Sequence, residues 1–131
     1  MPMVNPSPFV NPFNPHEGVL SEGALAAIAD FFKLLSEPSR LKILCTLKGG
    51  PKNVTEIMET SSLGQANVSK HLKLMARAGL VRRTPQGTNA YYEIANPAIF
   101  ALCDLACATL SAQFQEQAEN LAGLHAFKQS P

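Results

Sequence analysis

The stretch "TEIMETSSLGQANVSKHLKLMARAGLV", residues 55–81, restricts this chain more than any other. Val68, Leu72 and Met75 repeat at i, i+4 and i+7, which predicts the buried stripe of a helix from Gln65 to Ala78. Gly79 follows, the residue type best suited to a left-handed helix end. Upstream, Thr55 is placed to cap a short helix running through Met58 to Thr60, and Ser61 to Gly64 forms the turn. Two helices joined by a tight, glycine-containing turn have the helix-turn-helix layout.

The face opposite the buried stripe carries Gln65, Ala66, Asn67, Ser69, Lys70, Lys73 and Arg77. None is acidic, whereas an ordinary solvated helix mixes both signs. Gln and Asn can bond adenine in two places, Lys can donate to guanine, and Ala can touch a thymine methyl. The first residues of such a helix reach base edges first. Gln65, Ala66, Asn67 and Lys70 are therefore the candidate base readers, with Ser69 and Lys73 nearer the phosphates. The helix N-terminus itself attracts phosphate through its unpaired N–H groups. His71 borders the stripe and reads as a half-buried spacer or backbone contact rather than a metal ligand.

The flanking segments complete an α-α-α-α-β-β-α order, a mainly α fold with a small β-hairpin. Leu25, Ile28, Ala29 and Phe32 predict a first helix between Leu20 and Leu35. Pro38 suits the first turn of a second, which runs to about Leu47 with Leu41, Leu44 and Cys45 on one side. "LVRRT" and "NAYYEI" predict two strands around "PQGT", with Gly87 in the turn. Arg82 and Arg83 would make this hairpin a DNA-touching wing. Adjacent strand residues point to opposite faces, so only one of the two need face DNA, and of Tyr91 and Tyr92 one belongs to the core. Asn96-Pro97 opens a last helix that runs to roughly residue 121. Residues 1–19, with prolines at 2, 6, 8, 12 and 15, read as a flexible arm. Residues 20–122 form the DNA-binding and dimerisation domain, and 123–131 a C-terminal tail.

Charge supports a polyanion-binding centre. Residues 40–94 hold nine bases (Arg40, Lys42, Lys48, Lys52, Lys70, Lys73, Arg77, Arg82, Arg83) against three acids (Glu56, Glu59, Glu93). The segments on either side are net acidic. A charged content of only 16% in the 131 residues suggests that a partner covers part of the surface. No signal peptide and no apolar run of membrane-spanning length is evident, so the expectation is a cytoplasmic protein with reduced thiols that does not engage a membrane. No nucleophile–base pair, phosphate-binding glycine loop or paired carboxylates point to an enzyme.

"LSEPSRLKIL", "VSKHLKLMARAGLVRR" and "GTNAYYEI" together resemble the ArsR/SmtB family of small winged-helix repressors, over roughly Ala24 to Leu121. The resemblance implies a homodimer formed by the first and last helices, and repression that is relieved when an inducer binds. Its operator would be a double-stranded pseudo-palindrome with half-sites about 10–10.5 bp apart, or a multiple of that. The chain departs from the family at the wing tip, where Thr88-Asn89 stand in place of a common arginine, and in its longer proline-rich arm.

The three cysteines are Cys45, Cys103 and Cys107. The family's Cys-x-Cys metal pair on the first helix of the motif is absent, since that helix reads "VTEIMETSS". Its zinc pairs on the last helix are absent too: Asp104 has no histidine two residues on, and His125 has no partner at that spacing. Ile99, Cys103, Ala106, Leu110, Phe114 and Leu121 form an apolar stripe on the last helix, with Cys103 near its centre and Cys107 at its edge, so plain packing explains much of the pattern. For Cys45 alone, packing is the favoured explanation. The i, i+4 pair is poorly set for a direct disulfide, since Cβ atoms at that spacing lie about 5–6 Å apart and a disulfide wants about 3.5–4.5 Å. A thiophilic ion such as As(III) could bridge the pair with Cys45 as third ligand, or the thiols could be oxidised or persulfidated. The family's persulfide-sensing branch pairs a Leu-x-Cys cysteine on the second helix, similar to Cys45, with one on the last that lies further along than Cys103 and Cys107 do here. The competing reading is a winged-helix regulator or protein-interaction module whose cysteines only pack.

Overall fold

The computed structural model describes residues 20–129, with side chains described for 20–123. The proline-rich arm, 1–19, lies outside the described residues. Eight elements follow: α1 (Glu22–Leu35), α2 (Pro38–Leu47), β1 (Lys52–Asn53), α3 (Val54–Ser61), α4 (Gln65–Arg77), β2 (Val81–Gln86), β3 (Asn89–Ile94) and α5 (Ala98–Gln129). This is the expected winged helix-turn-helix order with one addition. The two-residue strand β1 pairs with β3, so the hairpin becomes a three-stranded sheet in the order β1-β3-β2. Two residues are too short a run to show alternation, which is why the pattern did not reveal the strand.

Caps set the helix starts. Ser21 Oγ accepts from the Ala24 N–H at 3.1 Å, and Asn96 Oδ1 from the Ala98 N–H at 3.0 Å. Thr55 does not cap α3. Asn53 does, through a reciprocal box: its Oδ1 accepts from the Glu56 N–H at 2.9 Å, and Glu56 Oε1 accepts from the Asn53 N–H at 3.1 Å. Only Asn53 has a carboxylate three residues downstream, which is what the box requires. The strand β1 therefore runs straight into the cap, and α3 starts before the position expected from Thr55.

The core lies where α2, α3 and α4 meet. Ile43, Leu44, Ile57, Val68, Leu72 and Met75 are fully buried, so the stripe read from α4 is the true inner face. On α2 the inner face is Ile43, Leu44 and Leu47. Leu41 and Cys45 are exposed, contrary to the expected grouping, because α2 turns a different side towards α3 and α4. Much of the expected stripes on α1 and α5 is open, although Ile99 is buried and Cys103 half-buried. Leu25 and Phe32 are 50% and 51% exposed, and Leu110 and Phe114 are 52% and 67% exposed.

The helix α5 runs through Gln129, past the end expected near residue 121. Its segment Ala98–Gly123 is long and apolar enough to cross a membrane by length and composition, which corrects the expectation that no such stretch exists. The isolated acids Asp104, Glu116 and Glu119 interrupt the sequence without making any part of it strongly polar.

Candidate nucleic-acid interface and thiol site

The turn between α3 and α4 is set by Ser62, which takes a left-handed conformation at φ 61°, and by Ser61 Oγ, which accepts from the Leu63 N–H at 3.3 Å. This aims the start of α4 outward. Gly64 supplies no side-chain cap there, so the first-turn N–H groups of α4 have no side-chain partner and face solvent. An oxyanion is the natural complement to such an end. Gln65, Ala66, Asn67, Ser69, Lys70, Lys73 and Arg77 are all exposed, and the face they form holds no acid.

The wing separates the two arginines. In the β2–β3 register Val81 pairs with Ile94, Arg82 with Glu93, Arg83 with Tyr92 and Thr84 with Tyr91. Val81 is buried and Tyr92 packs on the core, so Arg83 shares the inner face and Arg82 the outer. Arg82 Nη1 donates to Glu93 Oε1 at 3.1 Å across an exposed pair. Arg83 has no carboxylate opposite it. Of the two tyrosines, Tyr92 is the core residue. Gly87 opens the hairpin loop at φ 59°, a conformation glycine adopts freely.

Glu37 and Arg40 were not singled out in the sequence, yet they join α2 to the centre of α4. Glu37 caps α2, with its Oε2 accepting from the Arg40 N–H at 3.1 Å. An acid just before a first-turn proline was the available signal. Burial pushes the Glu37 carboxyl up, but the backbone N–H groups of Arg40 and Ser39, with neighbouring His71 and Arg40, outweigh this and hold it below the usual carboxylate range. His71 is buried between them, as a side-chain partner rather than a backbone contact.

The thiols sit on the far side of α2. Lys48 Nζ lies 5.6 Å from the Phe100 ring centroid, which brings the end of α2 against the start of α5. Leu41 and Ala106 line one apolar groove with Phe32, Leu35, Leu102 and Cys103. The two helices thus run past each other in opposite directions. One turn back from Lys48 is Cys45, and one turn on from Phe100 is Cys103. All three cysteines are free; Cys103 is half-buried, and Cys45 and Cys107 are exposed. Burial pushes the Cys103 thiol up, Cys45, Cys107 and Asp104 push it further, and Lys48 offsets part of this. Cys45 therefore lies towards Cys103, near enough for its charge to raise the Cys103 thiol. Among the described residues, no three His, Cys, Asp or Glu side chains converge to hold a metal ion, so the three-thiol metal site does not fit.

Comparison with known proteins decides the family. Residues 37–83 match the family model described as "Bacterial regulatory protein, arsR family". The transcriptional repressor PagR of Bacillus anthracis is 38% identical over 78 residues, covering 59% of this chain and 78% of PagR. The crystal structure of Mycobacterium tuberculosis Rv0081 superposes with a TM-score of 0.68 at 31% identity, over 75% of this chain and 99% of that one. This chain belongs to the ArsR family. It is a DNA-binding transcriptional repressor of winged-helix type, in a family of regulators and not of enzymes. ArsR relatives include a probable mercury resistance operon repressor of Streptomyces lividans, 32% identical over 78 residues, covering 60% of this chain and 62% of that protein. The homodimeric winged helix-turn-helix domain of Mycobacterium bovis Mb0332, described as a possible ArsR-family regulator, superposes with a TM-score of 0.63 at 26% identity over 72% of this chain and 87% of that one. Metal sensors and homodimers both occur in the family.

Proposed function

We propose that this ArsR-family chain is a homodimeric operator-binding repressor that releases DNA when Cys45 and Cys103 become linked across the α2–α5 seam. The exposed, acid-free face of α4 beside the wing carries the DNA-binding part. Gln65, Ala66, Asn67 and Lys70 read bases, while Ser69, Lys73, Arg77 and Arg83 hold phosphates. Arg82 contributes less, because Glu93 already engages it. The open apolar sides of α1 and α5 supply the dimer seam, and two α4 helices one helical turn apart read a pseudo-palindrome. Such a protein acts where the chromosome is, in the cytoplasm.

The neighbourhood of Cys45 and Cys103 supports the thiol part. Trisulfane, HSSSH, is a balanced co-reactant: two thiols and one trisulfane give a trisulfide bridge and two molecules of hydrogen sulfide. A soft ion is the second reading, favoured by the mercury-resistance relative, because two thiolates suffice for a two-coordinate ion.

One experiment tests both. The full chain is bound to DNA from upstream of its own gene, then treated with polysulfide, arsenite or mercuric ion, and its intact mass is recorded. The expected result is release accompanied by a sulfur or metal mass increment. Cys45→Ser and Cys103→Ser should bind DNA normally and ignore the same reagent. Normal release of both variants makes the thiols packing residues, and no DNA binding at low salt makes the chain a protein-interaction module.

A further inference from the structure

His71 is the one ionisable side chain that is buried among the described residues, exposed by only 7%. It lies on α4, next to Lys70 and one turn on from Asn67. Both ring nitrogens face the start of α2. Arg40 Nε donates to Nδ1 at 3.3 Å, and Nε2 lies 3.5 Å from Glu37 Oε2. A guanidinium can only donate, so Nδ1 accepts, and the ring proton sits on Nε2 towards the carboxylate. The second arm of the same guanidinium, Nη1, donates to the Leu34 carbonyl at 3.0 Å, in the last turn of α1. One arginine thus ties together the end of α1, the start of α2 and the middle of α4.

The rest of the contact between α4 and the core is apolar: Val68, Leu72 and Met75. Apolar contact holds a helix against a core but is non-directional. It resists a small rotation about the helix axis only weakly, whereas a hydrogen bond is lost with distance and angle. The rotation matters on the outer side. At a helix radius of about 5–6 Å, a turn of about 20° moves side-chain tips by about 2 Å. That is enough to break paired bonds to a base edge, while long lysine side chains still find phosphates.

We propose that Glu37, His71 and Arg40 are positioning residues that fix the rotation of α4 about its axis and thereby set its base preference. The proposal rests on α4 being the base-reading helix. It gives the buried histidine a purpose that packing alone does not, and it puts the control point for specificity on α2, away from the DNA.

The test uses the full chain and a randomised duplex library, with affinity for one fixed unselected duplex measured alongside. The variants are His71→Leu, His71→Gln and Arg40→Lys. Wild type selects a motif. His71→Leu and Arg40→Lys should keep their affinity for the unselected duplex within about twofold. Their preference for the motif should fall by about tenfold or more. His71→Gln retains an amide acceptor for Arg40 and a donor for Glu37, so it should keep most of the preference. If His71→Leu does not fold, Arg40→Lys at its half-buried position decides. An unchanged motif, a parallel loss on both duplexes, or a glutamine variant no better than leucine overturns the proposal. No motif from wild type would overturn the base-reading role of α4 itself, a separate failure.

Discussion

Arg82 and Arg83 are neighbours with different surroundings. The strand pleat sends Arg82 outward to Glu93 and Arg83 inward beside Tyr92, with no acid opposite it. An exposed ion pair is worth little to stability, about 0–1 kcal/mol, but it does occupy the guanidinium. Arg83→Ala should weaken binding to all duplexes and lower the salt slope by about one, as the loss of one phosphate contact requires. Arg82→Ala should do less. Gln65→Ala or Asn67→Ala should instead relax the preferred bases, and Lys73→Ala should not. Salt-dependent titrations on specific and unselected DNA check all of these, and equal effects throughout would sink the assignments. "LVRRT" announced two cationic strand residues but not which face each would take, because the register with β3 decides that.

Among the elements, α3 shows how a cap is chosen. Thr55 and Asn53 both have a side chain able to cap, yet only Asn53 stands three residues before a glutamate. Asn53→Ala should cost roughly 0.5–2 kcal/mol of stability, read as a lower denaturation midpoint. Thr55→Ala should cost much less, since Thr55 lies inside the helix and is exposed. The 3.6-residue stripe of α4 was legible because one face meets the core along its whole length. The inner face of α2 was misassigned for the opposite reason, and the open stripe of α1 has the same ambiguity. Each of these helices has apolar residues on more than one side, and periodicity does not say which side meets its own chain. Cys45 moved from the expected core to an exposed position on α2 for this reason.

At the scale of the whole molecule, the described residues leave apolar faces open. Leu105, Leu110, Phe114 and Leu121 on α5 stay open, as do Leu25, Phe31 and Phe32 on α1. Fully burying such a side chain is worth about 1.5–3 kcal/mol, and since these are 39–68% exposed, covering them would recover roughly half of that each, a strong driving force for association. Leu110→Glu or Phe114→Glu should give a monomer by sedimentation. Operator affinity should drop sharply, because two half-sites are no longer read together. Melting of the α2–α3–α4 core should persist. A stable dimer in both variants would place the interface elsewhere. The proposed seam accounts for the membrane-like composition of α5, since a helix buried between subunits would need an apolar surface as one in lipid does.

The sequence by itself determined the order of elements, the stripe that fixes α4, the acid-free face of that helix and the family. These depend on local periodicity, turn chemistry and residue type, which need no knowledge of distant parts of the chain. Only the tertiary structure decided that Cys45 lies on the side of Cys103, that Arg83 and not Arg82 shares the inner face of the wing, and that His71 is held by Glu37 and Arg40. Each of these joins residues from elements whose relative placement comes from core packing, a sum over many weak contacts that no short stretch of sequence contains.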